Sequence, residues 1–343
     1  MHNSASHPEP SPAVAASATP RQRYILLLKI TVSTALLVVL AHRLDLISIA
    51  RQLGQLPLGF VLVVLAFYAA LQWLSCLRWQ LVLETAGHYL RTPPLLSSYF
   101  AGMFLNMVLP GAVGGDAYRV FQLARHTRDS EAALVSVFLE RFTGLAALSA
   151  LSLMGLVPAL QLIERWDLVL ICVGSVAALV GGVMLSVSPR LLHLALPLLR
   201  RLRLAALGDR LAKIQQLLRQ FAGDAKALFW AIGLSLGLQL AIVYYHFVVA
   251  QQLNLGISYL ELLVFIPIVV VITLLPISLG GLGLKEGLWI YLLGQVGVPA
   301  EQALLFSLTI TVLSWALSLP GAIILGVGAL RSHRPATADG KPA

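Results

Sequence analysis

The sequence predicts an all-α, polytopic helical membrane protein. It should contain about six full transmembrane helices plus two broken re-entrant hairpins that form an inverted repeat. Three observations carry this. Only 11% of the residues are charged against 58% hydrophobic, and mean hydropathy is +0.85, whereas a soluble domain carries about 25% charge. The apolar residues fall in long uncharged runs of membrane-spanning length, not in the alternating segments of about ten residues that a transmembrane β-barrel needs. Two of the runs are interrupted by the same pattern, Leu-Pro followed by paired glycines, at 109–115 and 275–281.

The net charge of +9 is concentrated in a few loops. In a membrane protein this is a topology signal facing anionic lipid, so no nucleic-acid partner is expected. Cys76 and Cys172 lie in separate apolar runs. No disulfide framework and no zinc spacing is present, and no metal or cofactor is expected.

Residues 1–20 are small, polar and proline-rich, as in a disordered cytoplasmic tail. Arg21 and Arg23 precede the apolar run 24–41, an uncleaved first helix with Lys29 snorkelling to the interface. The second helix fills 52–77, starting after Pro57, and ends in an interfacial anchor, Arg78-Trp79. After the first broken stretch comes a polar loop with Arg125, Arg128, Asp129 and Glu131. The third helix covers 135–160 and the fourth 168–187. Residues 189–226 punctuate leucines with arginine and lysine at helical spacing, as in an amphipathic helix or helix pair on a cytoplasmic surface. The fifth helix spans 227–250, the second broken stretch 264–294, and the last helix 301–330. A basic cytoplasmic tail, 331–343, follows. The integral domain is thus 21–330. Repeat one covers about 58–187 and repeat two about 227–330, linked by 189–226.

The repeat is visible on direct superposition. LPGAVGGDAYR (109–119) over LPISLGGLGLK (275–285) aligns leucine, proline and both glycines at an offset of 166, with Arg119 on Lys285. After a slip of four residues, Glu131, Ala133 and Leu134 fall on Glu301, Ala303 and Leu304. If each broken stretch enters and leaves on one side, three helices separate them. An odd number places the hairpins on opposite faces. The positive-inside rule agrees: with cytoplasmic termini, Arg78, Arg91, Arg125, Arg128 and the whole of 189–226 lie inside. Full spanning by both stretches fits the charges less well.

Broken helices survive at membrane depth only where they are buried in protein or line a wet cavity, and in transporters they mark binding sites. Pro110, Gly111 and Pro276 supply the breaks. Gly114, Gly115, Gly280 and Gly281 let a headgroup approach backbone N–H groups, or else serve close helix packing. Asp116 opens a helical pattern and also fits an N-cap. Arg119, one turn on, suits a phosphate, which pairs bidentately with a guanidinium. Lys285 and Glu286 interrupt an otherwise uncharged run, and charges at depth are usually functional. Glu140 and Arg141 are adjacent, so they project about 100° apart on a helix and must pair across helices, one option being Arg119 with Glu140. Asn106 is a further polar candidate, and His246 reads as a hydrogen-bonded core histidine, with a proton relay as the alternative. No catalytic residue stands out, since there is no Walker-type phosphate loop, G-x-S-x-G, H-E-x-x-H or acidic metal cluster.

The run from Phe100 to Arg119, with Leu105-Asn106, Leu109-Pro110-Gly111 and Gly114-Gly115-Asp116, resembles the lysylphosphatidylglycerol synthase transmembrane, or flippase-like, family. So do Ser136-Val137, Glu140-Arg141, Gly144-Leu145 and the later motif from Leu275 to Glu286. The resemblance covers about residues 20–330. It implies an inner-membrane protein handling phospholipids or isoprenoid-linked lipids. In two-domain members the membrane half is thought to flip a lipid made by a soluble aminoacyl-transferase domain. No such domain is read here, so lipid aminoacylation does not carry over.

The resulting expectation is a non-enzymatic translocase for an anionic phospholipid or isoprenoid-linked lipid in the bacterial inner membrane. Membrane lipids, and in one reading a lipid-modifying enzyme, are its partners. Two alternatives stay open: a non-catalytic scaffold for a lipid- or glycan-modifying enzyme, and a small anionic-solute transporter.

Overall fold

The computed structural model describes residues 46–108, 114–160, 205–274 and 281–332, with a few isolated positions besides. Apart from those positions, the expected first and fourth helices, residues 189–204, the N-terminal tail, residues 333–343, and the hairpin tips with Pro110, Gly111, Pro276 and Gly280 lie outside the described residues.

Ten α-helices and no strand are found among the described residues. They are α1 (Leu46–Gly54), α2 (Leu58–Thr85), α3 (Thr92–Val108), α4 (Gly114–Thr127) and α5 (Ser130–Leu160), then α6 (Ala205–Gly223), α7 (Ala225–Gln252), α8 (Tyr259–Leu274), α9 (Leu284–Gly294) and α10 (Ala300–Ser332). Four of them, α2, α5, α7 and α10, are long and apolar enough to cross a membrane. The protein is a multi-pass helical membrane protein.

Local chemistry sets the helix starts. Asp129 Oδ1 accepts the Ala132 N–H at 2.9 Å to cap α5, and Asp224 Oδ1 accepts the Ala227 N–H at 2.9 Å to cap α7. Ser258 and Glu261 form a reciprocal capping box at α8, with Ser258 N–H donating to Glu261 Oε2 at 2.7 Å and Glu261 N–H to Ser258 Oγ at 3.2 Å.

The order α2–α3–α4–α5 recurs as α7–α8–α9–α10. Helices α2 and α7 are each 28 residues long and start 167 residues apart, as do α3 and α8; α5 and α10 start 170 apart. The packing is reciprocal: α3 lies on α10, α8 lies on α5, and α2 lies on α7. Along the α2–α7 contact, Phe67 meets Tyr244, Tyr68 meets Tyr245, and Arg78 meets Ser235. Rising numbers on one helix meet falling numbers on the other, so the two run antiparallel. Adding 167 to Tyr68 and Arg78 gives Ser235 and Tyr245, so the last two contacts exchange when the halves exchange.

The two hairpins open at opposite ends. Hairpin α3–α4 begins beside the C-terminus of α2, where the Cys76 thiol reaches the Thr92 carbonyl, and ends at the N-terminus of α5. The N-terminus of α10 packs through Leu304 and Leu305 with α1 and with Leu253 at the far end of α7. The described parts of the limbs, 17 and 14 residues for α3 and α4 and 16 and 11 for α8 and α9, correspond to about 16–26 Å of helix.

The amphipathic expectation for 189–226 resolves into α6 over its described part. Leu218 and Phe221 pack with Val82, Val135, Leu139, Ala227 and Ala231, and Gln220 donates to the Thr85 carbonyl at 3.2 Å. Lys213 Nζ bridges Asp129 at 3.0 Å and Glu131 at 3.5 Å. Exposed Arg91, Arg125, Arg128, Lys213, Arg219 and Lys226 all gather at this end.

One expectation is overturned. The second helix does not end at 77 in an interfacial anchor. It runs on to Thr85, and Arg78 (5% exposed) and Trp79 (0%) are core residues. The basic–aromatic pair is turned inward because α5 offers Arg78 a buried carboxylate.

Candidate functional site

Helices α2, α3, α4 and α5 converge on a buried charge cluster. Glu140, 1% exposed on α5, sits at its centre. Its Oε1 accepts from Arg78 Nη2 at 2.5 Å and its Oε2 from Arg119 Nη1 at 3.0 Å. Arg78 Nη1 also donates to Ser235 Oγ at 3.0 Å, tying the cluster to α7. The pairing of Arg119 with Glu140 is one option the sequence offers. Arg141, projecting away from Glu140, grips Asp116 through Nε at 3.0 Å and Nη2 at 2.8 Å. Glu140 and Arg141 thus pair across helices with different partners.

Arg119 is framed on every side. The Trp79 ring lies 4.1 Å and the Tyr99 ring 4.3 Å from its guanidinium carbon, a cation–π sandwich. Gly102 leaves room for its stem: a Cβ there would come within 3.0 Å of Arg119 Cγ. Its Nη1 is spent on Glu140, yet Nε and Nη2 have no hydrogen-bond partner among the described residues, and neither does Arg78 Nε. Nε and Nη2 form the edge of a guanidinium that grips phosphate or carboxylate bidentately. Three arginines face two carboxylates, so the cluster carries one net positive charge. It grades from sealed Arg119 (side chain 2% exposed) to half-open Arg141 (47%), so the Asp116–Arg141 pair forms its mouth.

Two predicted site residues, Asn106 and Gly115, hold the hairpin together. Asn106 Oδ1 accepts the Gly115 N–H at 2.7 Å, and a Cβ on Gly115 would overlap the Gly102 carbonyl oxygen. Gly115 therefore serves close helix packing, and its N–H is not free for a headgroup. Asp116 lies within the first turn of α4, its carboxylate committed to Arg141 rather than to the helix end. Gly114 opens α4.

Lys285 and Glu286 lie elsewhere, in the second half. Glu286, 1% exposed, accepts the Gly283 N–H at 2.7 Å and caps α9. Gly281 and Gly283 take φ of +83° and +80°, the left-handed turn that precedes it. Lys285 Nζ donates to Thr311 Oγ1 at 2.6 Å and stands 3.8 Å from Glu286 Oε1. His246 stacks on Trp289 at 6.1 Å and faces Phe306 at 6.2 Å, with its Nδ1 on the Ile242 carbonyl at 2.8 Å, as expected of a core histidine.

A family model, the lysylphosphatidylglycerol synthase TM region, matches residues 26–321. The chain belongs to this family. The match spans both halves and both clusters, and it agrees with the motifs at Phe100–Arg119 and Leu275–Glu286. No curated protein matches the chain. Membership makes it a membrane region of a family tied to lipid chemistry.

The halves of this family member can be compared position by position. The 167-residue step along α2 and α7 carries Arg78 to Tyr245 and Trp79 to His246; the 166-residue step of the motif carries Arg119 to Lys285; the 170-residue step along α5 and α10 carries Glu140 to Ile310 and Arg141 to Thr311. Both clusters thus occupy equivalent places. Sequence reasoning missed Arg78, Tyr99 and Ser235. The signal for Arg78 is its place one turn beyond Leu74 on a helix whose inner face is already set by Leu71 and Ser75.

Proposed function

We propose that the protein is a non-enzymatic lipid translocase of the bacterial inner membrane, acting on an anionic phospholipid or an isoprenoid-linked lipid. The observation that supports it most is the unpartnered Nε–Nη2 edge of Arg119 inside a cluster of net positive charge. Buried N–H groups are expected to have partners, and phosphate fits this edge in charge and geometry.

The architecture supports the same reading. Antiparallel α2 and α7, together with hairpins opening at opposite ends, fit an inverted repeat whose pseudo-two-fold axis lies in the membrane plane. The hairpins then re-enter, and one cluster serves each leaflet. The end with α6 and its exposed cations faces the cytoplasm. The Asp116–Arg141 pair opens to admit the headgroup phosphate to Arg119. Rocking of one half against the other hands it across. Lys285 is the cation it meets in the second half.

Headgroup-labelled lipid translocation in proteoliposomes tests this. Phosphatidylglycerol and a polyprenyl-phosphate analogue should move at least tenfold faster than phosphatidylcholine, and Lys285→Ala should slow them by tenfold or more. Equal rates for all three lipids, or no movement by folded protein, would overturn the reading.

A further inference from the structure

Helix α10 carries a polar face through its apolar length. Ser307, Thr311, Ser314, Ser318 and Gly321 recur at spacings of four and three, so they share one side of the helix. They span about 21 Å of helix, most of a hydrocarbon core of about 30 Å. Near one end, Lys285 of α9 donates to Thr311 Oγ1 at 2.6 Å. Glu286 Oε1 lies 3.8 Å from that ammonium and has no hydrogen-bond partner among the described residues. The buried Ser307 hydroxyl, one turn before Thr311, has none among them either. At the middle, Tyr68 of α2 meets Ser314 and lies within electrostatic reach of Arg141. Toward the other end, Ser318 Oγ stands 3.2 Å from Met107 Sδ on α3. Gly321 sits so close to α3 that a Cβ there would overlap the Phe100 carbonyl oxygen.

Close packing explains only the Gly321 end of this face. Around Thr311 a carboxylate oxygen and a hydroxyl are buried without partners among the described residues, and the Lys285 side chain is 25% exposed. Buried polar groups are expected to have partners, and a charge inside a membrane faces the bundle interior or a water-filled cavity. Tyr68 and Ser314 are half-buried as well. Thr311, Ser314 and Ser318 each donate to a carbonyl of their own helix at 2.8 Å. Such hydroxyls are satisfied when nothing is bound, and they turn to a passing oxygen at little cost. Being neutral, they hold a ligand weakly and at several points, as conduction between charged sites requires.

We propose that the hydroxyl face of α10 is the path of the headgroup between the two clusters, leading from Arg141 at the mouth of the first, past Tyr68 and Ser314, to Thr311 and Lys285 in the second. This rests on the translocase reading and gives it a route. Arginine and lysine hold the headgroup at the two ends. Between them Tyr68 and Ser314 take its oxygens in turn, replacing the water it leaves behind. Neither contributes charge, so the headgroup is not trapped midway.

Thiol reactivity in bilayers tests the path separately from lipid movement. In protein with Cys76 and Cys172 replaced by serine, Ser314→Cys should react with a membrane-impermeant sulfonate thiol reagent several times faster than Val312→Cys, whose side chain lies on the outer face of α10. Tyr68→Phe and Ser314→Ala each remove one hydroxyl without filling the seam. Together they should slow phosphatidylglycerol translocation at least about fivefold, the loss of two modest hydrogen bonds, in protein of unchanged thermal stability. No reaction at position 314, or the same rate at 312, overturns the path and leaves the face a packing seam, whatever the lipids do. Selective reaction at 314 with a wild-type rate in the double variant overturns it as well, while the translocase reading stands. If wild type moves no lipid although position 314 reacts selectively, the translocase reading fails, and the face is a wet groove and not a headgroup path.

Discussion

Cluster one, on α2, α4 and α5, and cluster two, on α7, α9 and α10, stand at equivalent places in the two halves but are made of different materials. Where the first has Arg78, Trp79, Arg119, Glu140 and Arg141, the second has Tyr245, His246, Lys285, Ile310 and Thr311. The first locks three helices through a fully bonded carboxylate. The second bears one ammonium on a hydroxyl, and its carboxylate has been moved onto α9, where it caps the helix. Reciprocal packing of the halves therefore does not enforce two equal clusters. Reciprocal packing holds the frame, and side-chain exchange along it separates a fully bonded carboxylate from one with an unbonded oxygen.

The largest test of that contrast is removal of each carboxylate. Glu140→Ala leaves Arg78 and Arg119 buried without their counter-charge and should cost about 3–5 kcal/mol, read as loss of thermal stability in detergent. Glu286→Gln should cost less than about 1 kcal/mol, because the cap persists. Equal losses would break the distinction.

Next come the glycines of the two motifs. Gly115→Ala drives a methyl into the Gly102 carbonyl and should cost about 1–3 kcal/mol by splaying α3 from α4. Gly281→Ala meets Thr273 at 3.6 Å and Lys285 Cβ at 3.9 Å, both ordinary contacts, and its cost comes instead from the left-handed backbone, about 1–2 kcal/mol. A cross-link between α3 and α4 should rescue the first variant and leave the second unchanged.

The smallest effect lies at the helix ends. Asp129 caps α5, whereas the 170-residue step puts Pro299 before α10. Burial alone would raise the Asp129 carboxyl, but the Ala132 N–H, Lys213 and His88 outweigh it and hold it at about 2, below the ordinary 3.8. A depressed folded value means that its contribution is complete above the ordinary value and is lost as pH falls from about 4 through 2. Asp129→Ala should cost about 1 kcal/mol at neutral pH and flatten acid destabilisation in that window. Unchanged acid sensitivity would remove Asp129 as its source.

The membrane class, the family and the long helices were legible because hydropathy and the Leu-Pro-x-x-x-Gly-Gly motif are local signals. Residues 225–252 and 300–332 form helices within two residues of the expected bounds. Arg78 was illegible for a physical reason. A basic residue near the end of an apolar run reads as an interfacial anchor, and only the non-local approach of Glu140 and Ser235 makes it a core residue. Gly115 and Asn106 were legible as special positions, but whether a glycine faces a ligand or another helix depends on α3, which the motif does not encode.

Arg119→Lys tests the central claim most directly. Lysine keeps the positive charge for Glu140 and the stacking between Trp79 and Tyr99, so the protein should stay folded. It removes the Nε–Nη2 edge. Translocation of labelled phosphatidylglycerol by the folded variant should drop at least tenfold, equivalent to about 1.4 kcal/mol or more of headgroup binding if rate follows affinity. Wild-type rates in R119K would contradict an anionic headgroup held by that edge.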